Sequence, residues 1–166
     1  GTKLTAPPSL LGLFTDFLAW APIPPRTAKQ LAGMAARLCR LLREEVAEEL
    51  DRNNPGLTSL AFNWRNLLFP EATNKQFADG YAQAVTFALL LARSEGIDLG
   101  PEEGRAQKLH EVGAALGDDH SLMGKALQLL TDDVAADFRV TLDLLVRVVG
   151  AVDWPRVRRG KRDTYL

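Results

Sequence analysis

The side chains that could perform metal or nucleophilic chemistry are few in this sequence, and their spacing argues against a site. The only histidines, His110 and His120, are ten residues apart beside Asp118 and Asp119, and the single cysteine, Cys39, is far away. Zinc sites usually draw on closely spaced His, Cys and carboxylate ligands, so we interpret the histidines as surface or capping residues. Cys39 adjoins the apolar stripe of a predicted helix and is interpreted as a small hydrophobic residue.

Carboxylates are plentiful, but their pattern is that of helix surfaces and helix caps. The acidic run Glu44, Glu45, Glu48 and Glu49 is expected to face water, and Asp132 or Asp133 to cap a helix. No Gly-rich phosphate loop and no Gly-x-Ser-x-Gly turn occurs in the sequence. We therefore predict no catalytic, cofactor-binding or metal-binding residue in this chain.

A basic segment near the C-terminus is the one feature that points to a function. The candidate DNA-contacting residues are Arg156, Arg158, Arg159, Lys161 and Arg162, which we call the C-terminal basic segment. Of the 20 basic and 21 acidic residues, 15 and 20 lie before residue 155. An acidic body is a poor partner for DNA phosphates, so any contact with DNA is expected in this segment. It could alternatively be a solvated linker.

The elements that position these side chains are predicted to be helices almost throughout. Apolar residues recur at i, i+3, i+4 and i+7, and strand patterns are almost absent. We predict an all-α fold, a compact bundle of six to seven helices. Residues 1–26 would form an N-terminal helix, capped by Ser9, and a Pro-rich connector. Residues 27–153 would form the helical bundle core, and residues 154–166 the basic segment leading to a domain further downstream.

Capping residues and breakers place the helix ends. Thr27 and Gln30 form a predicted capping box, and Thr73 or Asn74 is expected to cap the helix that Gly96 ends. A shorter helix is expected from about Thr58. The helix after residue 73 has apolar residues on more than one face, which predicts that it is the central helix. The expected interior includes Leu31, Met34, Ala35, Leu38, Leu41, Leu42, Val46, Leu60, Phe62, Trp64, Phe77, Tyr81, Val85, Phe87, Ala88, Leu89, Leu90, Leu91, Val140, Leu142, Leu145, Val148 and Val149.

The composition of the 166 residues is that of an ordinary globular domain, with 46% hydrophobic and 25% charged side chains. No run approaches the roughly 20 apolar residues that span a bilayer, and the N-terminus lacks the apolar stretch of a secretory signal. A single cysteine fits a reducing compartment. We expect a cytoplasmic location and no membrane partner.

Four stretches resemble segments of a known protein family. The sequence Phe77-Ala78-Asp79-Gly80-Tyr81-Ala82-Gln83 resembles the Phe-Ala-Asp-x-Tyr-Ala-Gln-Thr helix that precedes the core of large bacterial adenine-specific DNA methyltransferases. These are type ISP and type IIG restriction–modification enzymes and related phage-defence methylases. Asp153-Trp154 and Asp163-Thr164-Tyr165-Leu166 resemble segments just before the family's cofactor-binding core, and residues 38–43 its second helix.

The resemblance implies a non-catalytic helical domain that positions the methyltransferase core and could contact DNA. The parent enzyme would use S-adenosylmethionine, and the partner would be the core downstream in the same chain. The family's cofactor loop and Asn-Pro-Pro-Tyr type motif for the flipped adenine do not occur here. No catalytic or cofactor residue is therefore carried over, and we expect the chain to be part of a longer enzyme. A freestanding helical protein–protein interaction module and a small enzyme with an unrecognised site remain alternatives.

Overall fold

The computed structural model of the chain describes residues 24–67, 69–99, 109–116, 121–131 and 139–159. These ranges form seven α-helices that pack against one another and contain no strand, which confirms the predicted all-α bundle. The helices are α1 (Ala28–Asp51), α2 (Pro55–Leu67), α3 (Asn74–Ser94), α4 (Leu109–Ala115), α5 (Ser121–Thr131), α6 (Arg139–Gly150) and α7 (Trp154–Arg159). None of these described helices is long and apolar enough to cross a membrane. The predicted helix after Ser9 and the predicted cap at Asp132 or Asp133 lie outside the described residues.

A threonine cap begins α1. Thr27 has an extended backbone, with φ −132° and ψ 155°, and its Oγ1 accepts a hydrogen bond from the Gln30 amide at 3.1 Å. The Gln30 Oε1 accepts from the Arg26 amide at 2.9 Å, one residue before the amide that a capping box would use. The predicted cap is therefore confirmed, while its glutamine pairs one residue earlier than predicted. The bond from the Gln30 amide satisfies one of the amides that the first turn leaves unpaired.

The corner between α1 and α2 uses asparagine and proline. Asn53 has a positive φ of 57°, a conformation that asparagine tolerates better than most residues. Asn54 then caps α2, since its Oδ1 accepts a hydrogen bond from the Leu57 amide at 3.2 Å. Pro55 occupies the first helical position, where its fixed φ suits the helix. The start expected at about Thr58 is thus three residues too late.

The central position of α3 is confirmed by its contacts with α1, α4, α5 and α6. Thr73 is its N-cap and forms a complete capping box: Thr73 Oγ1 accepts from the Gln76 amide, and the Gln76 side chain accepts from the Thr73 amide. At the other end, Gly96 has φ 84° and follows the last helical turn, as predicted. The buried residues of α3 are Phe77, Ala78, Tyr81, Ala82, Val85, Thr86, Ala88, Leu89 and Ala92.

Replacing Thr73 by alanine is expected to lower the free energy of unfolding by about 1 kcal/mol. The substitution removes the acceptor for the Gln76 amide and half of the capping box. Urea denaturation followed by circular dichroism measures the change. Thr58→Ala is the matched control, because Thr58 is exposed on α2 and caps no helix. Equal losses for the two variants would contradict the capping role.

Two glycines set the distance between α4 and α5. A Cβ added to Gly113 would lie 2.6 Å from the carbonyl oxygen of Gly124 and 2.7 Å from Cγ of Gln128. A Cβ added to Gly124 would likewise overlap the carbonyl oxygen of Gly113. Side chains therefore do not separate the two helices at this point, and their backbones are in contact.

The boundary of the core differs from the sequence prediction at four apolar positions. Leu41, Phe62, Phe87 and Val140 are 41%, 62%, 60% and 82% exposed, although all four were expected inside. Each lies on a helix whose other face is buried, and a step of one residue turns a side chain by about 100° around the axis. Buried residues that the prediction omitted include Leu50, Leu57, Ala61, Leu99, Val146, Val152 and Val157.

The acidic run at residues 44–49 was expected to face water, and this expectation is wrong for Glu45. Glu44 and Glu48 are exposed, but Glu45 is half-buried between α1 and α6. Its Oε1 accepts a hydrogen bond from Oγ1 of the buried Thr141 at 2.7 Å. Its Oε2 is inaccessible to solvent and has no hydrogen-bond partner in the described part of the chain. One acidic residue of the run therefore contacts the neighbouring helix instead of water.

Candidate nucleic-acid interface

The C-terminal basic segment begins in a short helix that is docked on the bundle. Asp153 precedes α7, and its Oδ1 accepts a hydrogen bond from the Arg156 amide at 3.1 Å. Val157 is buried in a small apolar cluster with Leu31 of α1 and Val152. Arg156 is exposed on the same short helix. The packing of Val157 against Leu31 therefore fixes the position of α7 relative to the N-terminal part of α1.

The structure describes only part of this segment. Arg156 is described completely, and the backbones of Arg158 and Arg159 belong to α7. The side chains of Arg158 and Arg159 lie outside the described part, as do Lys161 and Arg162. The prediction that these five residues contact DNA therefore stays a prediction.

A separation of charge along α1 was missed by the sequence analysis. Residues 26–43 contain five basic and no acidic side chains, whereas residues 44–51 contain five acidic and no basic ones. A helix macrodipole favours the opposite order, with acidic residues near the N-terminus and basic residues near the C-terminus. The first turn of α1 has no acidic residue and its last turn no basic one. Stabilisation of the helix therefore does not explain this order.

Four of these basic residues form a row that begins just before α1 and continues on its outer surface. Arg26, Lys29, Arg37 and Arg40 are all exposed, and we call them the α1 basic row. Arg26, Lys29 and Arg37 line one groove of about 750 Å³. Arg40 follows Lys29 by eleven residues, which is about three helical turns, so both lie on the same face. The groove is completed by Pro24, Pro25, Gln30, Gly33 and Met34.

Four arginines elsewhere in the fold have structural partners, unlike the α1 basic row. Those arginines and their partners are Arg43 with Asp79, Arg52 with Glu48 and Glu49, Arg65 with Ala72 and Asn74, and Arg93 with Gly150. Among the described residues, no carboxylate lies within ion-pair distance of the α1 basic row.

The residues that carry the family resemblance have structural roles on α3. Phe77, Ala78, Tyr81 and Ala82 are buried in the core. The two polar residues interact on the surface: Gln83 Nε2 donates to Asp79 Oδ2 at 2.8 Å, and Asp79 Oδ1 lies 3.7 Å from Arg43 Nη1 of α1. Gly80 faces Trp64 of α2, which would be 3.4 Å from an added Cβ. The arrangement stabilises contacts between helices and presents no reactive group.

Of the residues first considered for metal or nucleophilic chemistry, the structure describes two, His110 and Cys39. His110 is exposed on α4, and Cys39 is half-buried against the core, in keeping with its interpretation as a small hydrophobic residue. His120, Asp118 and Asp119 lie outside the described residues. In the described ranges, no group of three or more His, Cys, Asp or Glu residues could hold a metal ion.

Comparison with known proteins finds no match to this chain among protein-family models, curated proteins or solved structures.

Proposed function

We propose that this chain is a non-catalytic helical domain of a bacterial adenine-specific DNA methyltransferase or restriction–modification enzyme. Its role is to position the methyltransferase core and to contact DNA through the C-terminal basic segment. The core would bind S-adenosylmethionine and carry out the transfer of the methyl group. In this role the domain acts in phage defence, as a part of a larger cytoplasmic enzyme.

The docking of α7 is the observation that carries the DNA-contacting part of the proposal. Val157 anchors the helix beside Leu31, and Arg156 is exposed on it. A cation that is held in place binds phosphate with a smaller loss of side-chain and backbone entropy than one on a flexible tail. The proposed methyltransferase context is supported by the resemblance of residues 77–83 to the family's helix. In α3 these residues pack against other helices, which is consistent with a non-catalytic domain.

The complete reading frame is the first test of the proposal. We expect a Phe-x-Gly-x-Gly type cofactor loop and an Asn-Pro-Pro-Tyr type motif downstream of residue 166. A reading frame that encodes neither motif would refute the methyltransferase assignment.

Val157→Asp in the full-length enzyme is expected to reduce DNA affinity and adenine methylation at least about tenfold. The buried carboxylate would separate α7 from Leu31 and Val152, because an unpaired charge is not tolerated in an apolar cluster. Transfer of labelled methyl groups from S-adenosylmethionine to duplex DNA measures activity, and fluorescence anisotropy measures affinity. Val140→Asp is the matched control, since Val140 is 82% exposed on α6.

Circular dichroism shows whether both variants keep the bundle. Unchanged methylation and DNA binding by Val157→Asp, with α7 released, would show that docking of this segment does not serve the enzyme.

A freestanding helical interaction module is the second candidate function, and exposed apolar side chains favour it. The large exposed apolar residues are Leu41, Phe62, Phe69, Phe87, Leu129 and Val140. Trp64 and Phe69 also line an open pocket of about 400 Å³, with their ring centroids 4.9 Å apart. Under this alternative, sedimentation shows a stable complex with a separate protein and the reading frame contains no methyltransferase core.

A further inference from the structure

We propose that the α1 basic row, Arg26, Lys29, Arg37 and Arg40, binds the phosphate backbone of duplex DNA as a second contact surface. It is separate from the C-terminal basic segment. The choice of DNA among polyanions rests on the proposed function, whereas the surface itself follows from the charges and shape of α1.

The length of the row suits a run of phosphates on one strand. Lys29 and Arg40 are eleven residues apart, which corresponds to roughly 16 Å along the helix axis. A DNA strand presents one phosphate per roughly 3.4 Å of duplex axis. Because a strand makes one turn in about ten phosphates, five consecutive phosphates cover half a turn, and only about two or three of them face a straight row of this length at once.

The middle of the row is open enough for close approach of a nucleic-acid backbone. Gly33 and the exposed Ala36 lie between the pair Arg26 and Lys29 and the pair Arg37 and Arg40. Apart from the local backbone of α1 and the two neighbouring residues, no described atom lies within 4 Å of the place where a Cβ of Gly33 would be. Because the long side chains stand on either side of this shallow region, a phosphate chain can reach both pairs at once.

The electrostatics of the row are those of an anion-binding surface. The groove is lined by three cations and by no carboxylate. The row ends where Glu44, exposed one turn beyond Arg40, begins the acidic part of α1. Repulsion from this carboxylate limits the contact to the N-terminal half of the helix.

Two other classes of partner fit this surface less well than DNA. A membrane-surface helix needs an apolar face that is free to enter the lipid, but α1 buries Leu31, Leu42 and Val46 in the protein. Protein interfaces are anchored by large aromatic or apolar side chains. The apolar residues of this groove are Pro24, Pro25 and Met34, and none of the large exposed apolar residues of the described chain is among them.

The principal test removes two cations from the row and two from elsewhere. Arg37→Gln with Arg40→Gln is compared with Lys75→Gln with Lys125→Gln, two exposed lysines on α3 and α5. Both pairs change the net charge equally. The probe is a 20-base-pair duplex labelled for fluorescence anisotropy and titrated at several salt concentrations.

We expect the row variant to lose about tenfold or more in affinity at low salt, and the slope of log K against log salt to fall by about 2. The lysine variant is expected to keep the wild-type slope. Neither glutamine pair should lower the melting temperature, because these side chains have no ion-pair partner among the described residues and glutamine has a similar helix propensity.

A second variant tests the proposal by gain of binding, which a folding defect cannot imitate. Glu44→Lys extends the row by one turn and is expected to raise the affinity for the duplex and the salt slope by about 1. Glu71→Lys, an exposed position in the loop between α2 and α3, makes the same charge change and should have a smaller effect.

Three results would overturn the proposal. The two double variants could weaken DNA binding equally, which would show that only the net charge of the protein matters and not the position of the row. Glu44→Lys could fail to exceed Glu71→Lys. Finally, vesicles containing phosphatidylserine, or an RNA duplex of the same length, could bind through the row more tightly than DNA. A positive result with a reading frame that lacks methyltransferase motifs would keep the DNA surface and refute only the proposed function.

Discussion

Gly113→Ala is expected to lower the free energy of unfolding by about 3 kcal/mol, although alanine is the better helix former. The new methyl group would lie 2.6 Å from a backbone oxygen of Gly124. A backbone oxygen cannot move aside as the end of a flexible side chain can, so α5 must shift away from α4. That shift would disturb the apolar contacts on both helices, which include the buried Val112 and Leu127. Steric overlap therefore outweighs the intrinsic helix preference.

Gly33→Ala is the matched control, because the same substitution is expected to have the opposite sign. Gly33 is exposed within α1, and no described atom beyond the local backbone of α1 and the two neighbouring residues lies within 4 Å of an added Cβ. Replacing a glycine inside an exposed helix should stabilise the chain by about 0.5–1 kcal/mol. Urea and thermal denaturation of the two variants measure both changes. If Gly113→Ala were as stable as Gly33→Ala, the backbones of α4 and α5 would not be in contact.

Tyr81→Phe is expected to lower the free energy of unfolding by about 1–3 kcal/mol. The Tyr81 hydroxyl is buried and donates to the carbonyl oxygen of Leu130 at 2.7 Å. Leu130 lies in the last described turn of α5, so this bond joins α3 to α5 across 49 positions of the sequence. Phenylalanine keeps the packing of the ring but removes the donor. Faster amide exchange in the last turn of α5 should accompany the loss of stability.

Thr86→Val provides a comparison on the same helix. Its hydroxyl is also buried, but it donates to Ala82, the carbonyl four residues earlier on α3. That carbonyl keeps its ordinary helical hydrogen bond when the hydroxyl is removed. We expect a loss of less than 1 kcal/mol and no change in exchange in α5. Similar losses in both variants would mean that the bond between α3 and α5 contributes no more than a bond within one helix.

The features of the fold that sequence analysis predicts correctly depend on local interactions. Thr27 and Thr73 are helix caps because a side-chain oxygen reaches an amide only two or three residues away. Gly96 ends α3 because it adopts a positive φ without strain. These effects require no knowledge of distant residues, so the ends of these helices can be predicted from the sequence.

The extent of burial on each helix is harder to predict, since it depends on neighbouring helices. Leu41 and Leu42 are equally apolar and adjacent, yet Leu42 is fully buried and Leu41 is 41% exposed. Only the placement of α3 and α6 against α1 distinguishes them. Glu45 shows the same limit, because its bond to Thr141 joins residues 96 positions apart in the sequence.

The candidate site was predicted where charges cluster in the sequence and missed where they are dispersed. The C-terminal basic segment is conspicuous because its five cations lie within seven residues. The α1 basic row spreads over fifteen residues, and the five carboxylates that follow cancel it in any count over the whole helix. Residue type alone also does not show whether a basic side chain has a partner within the fold. Arg43 and Arg65 are arginines too, and only the structure shows that their side chains bond to the fold.

The separation of charge along α1 has a consequence for the rate at which this molecule meets a polyanion. Its five cations and five carboxylates are centred on the order of 19 Å apart, which gives an electric dipole moment roughly five times that of the helix backbone and in the same direction. With a net charge of −1, the protein as a whole is weakly repelled by a polyanion. The field of the polyanion nevertheless exerts a torque on the dipole and turns the basic end forward before contact. Encounters should therefore be pre-oriented, and the association rate constant should fall steeply with ionic strength although the protein is almost neutral.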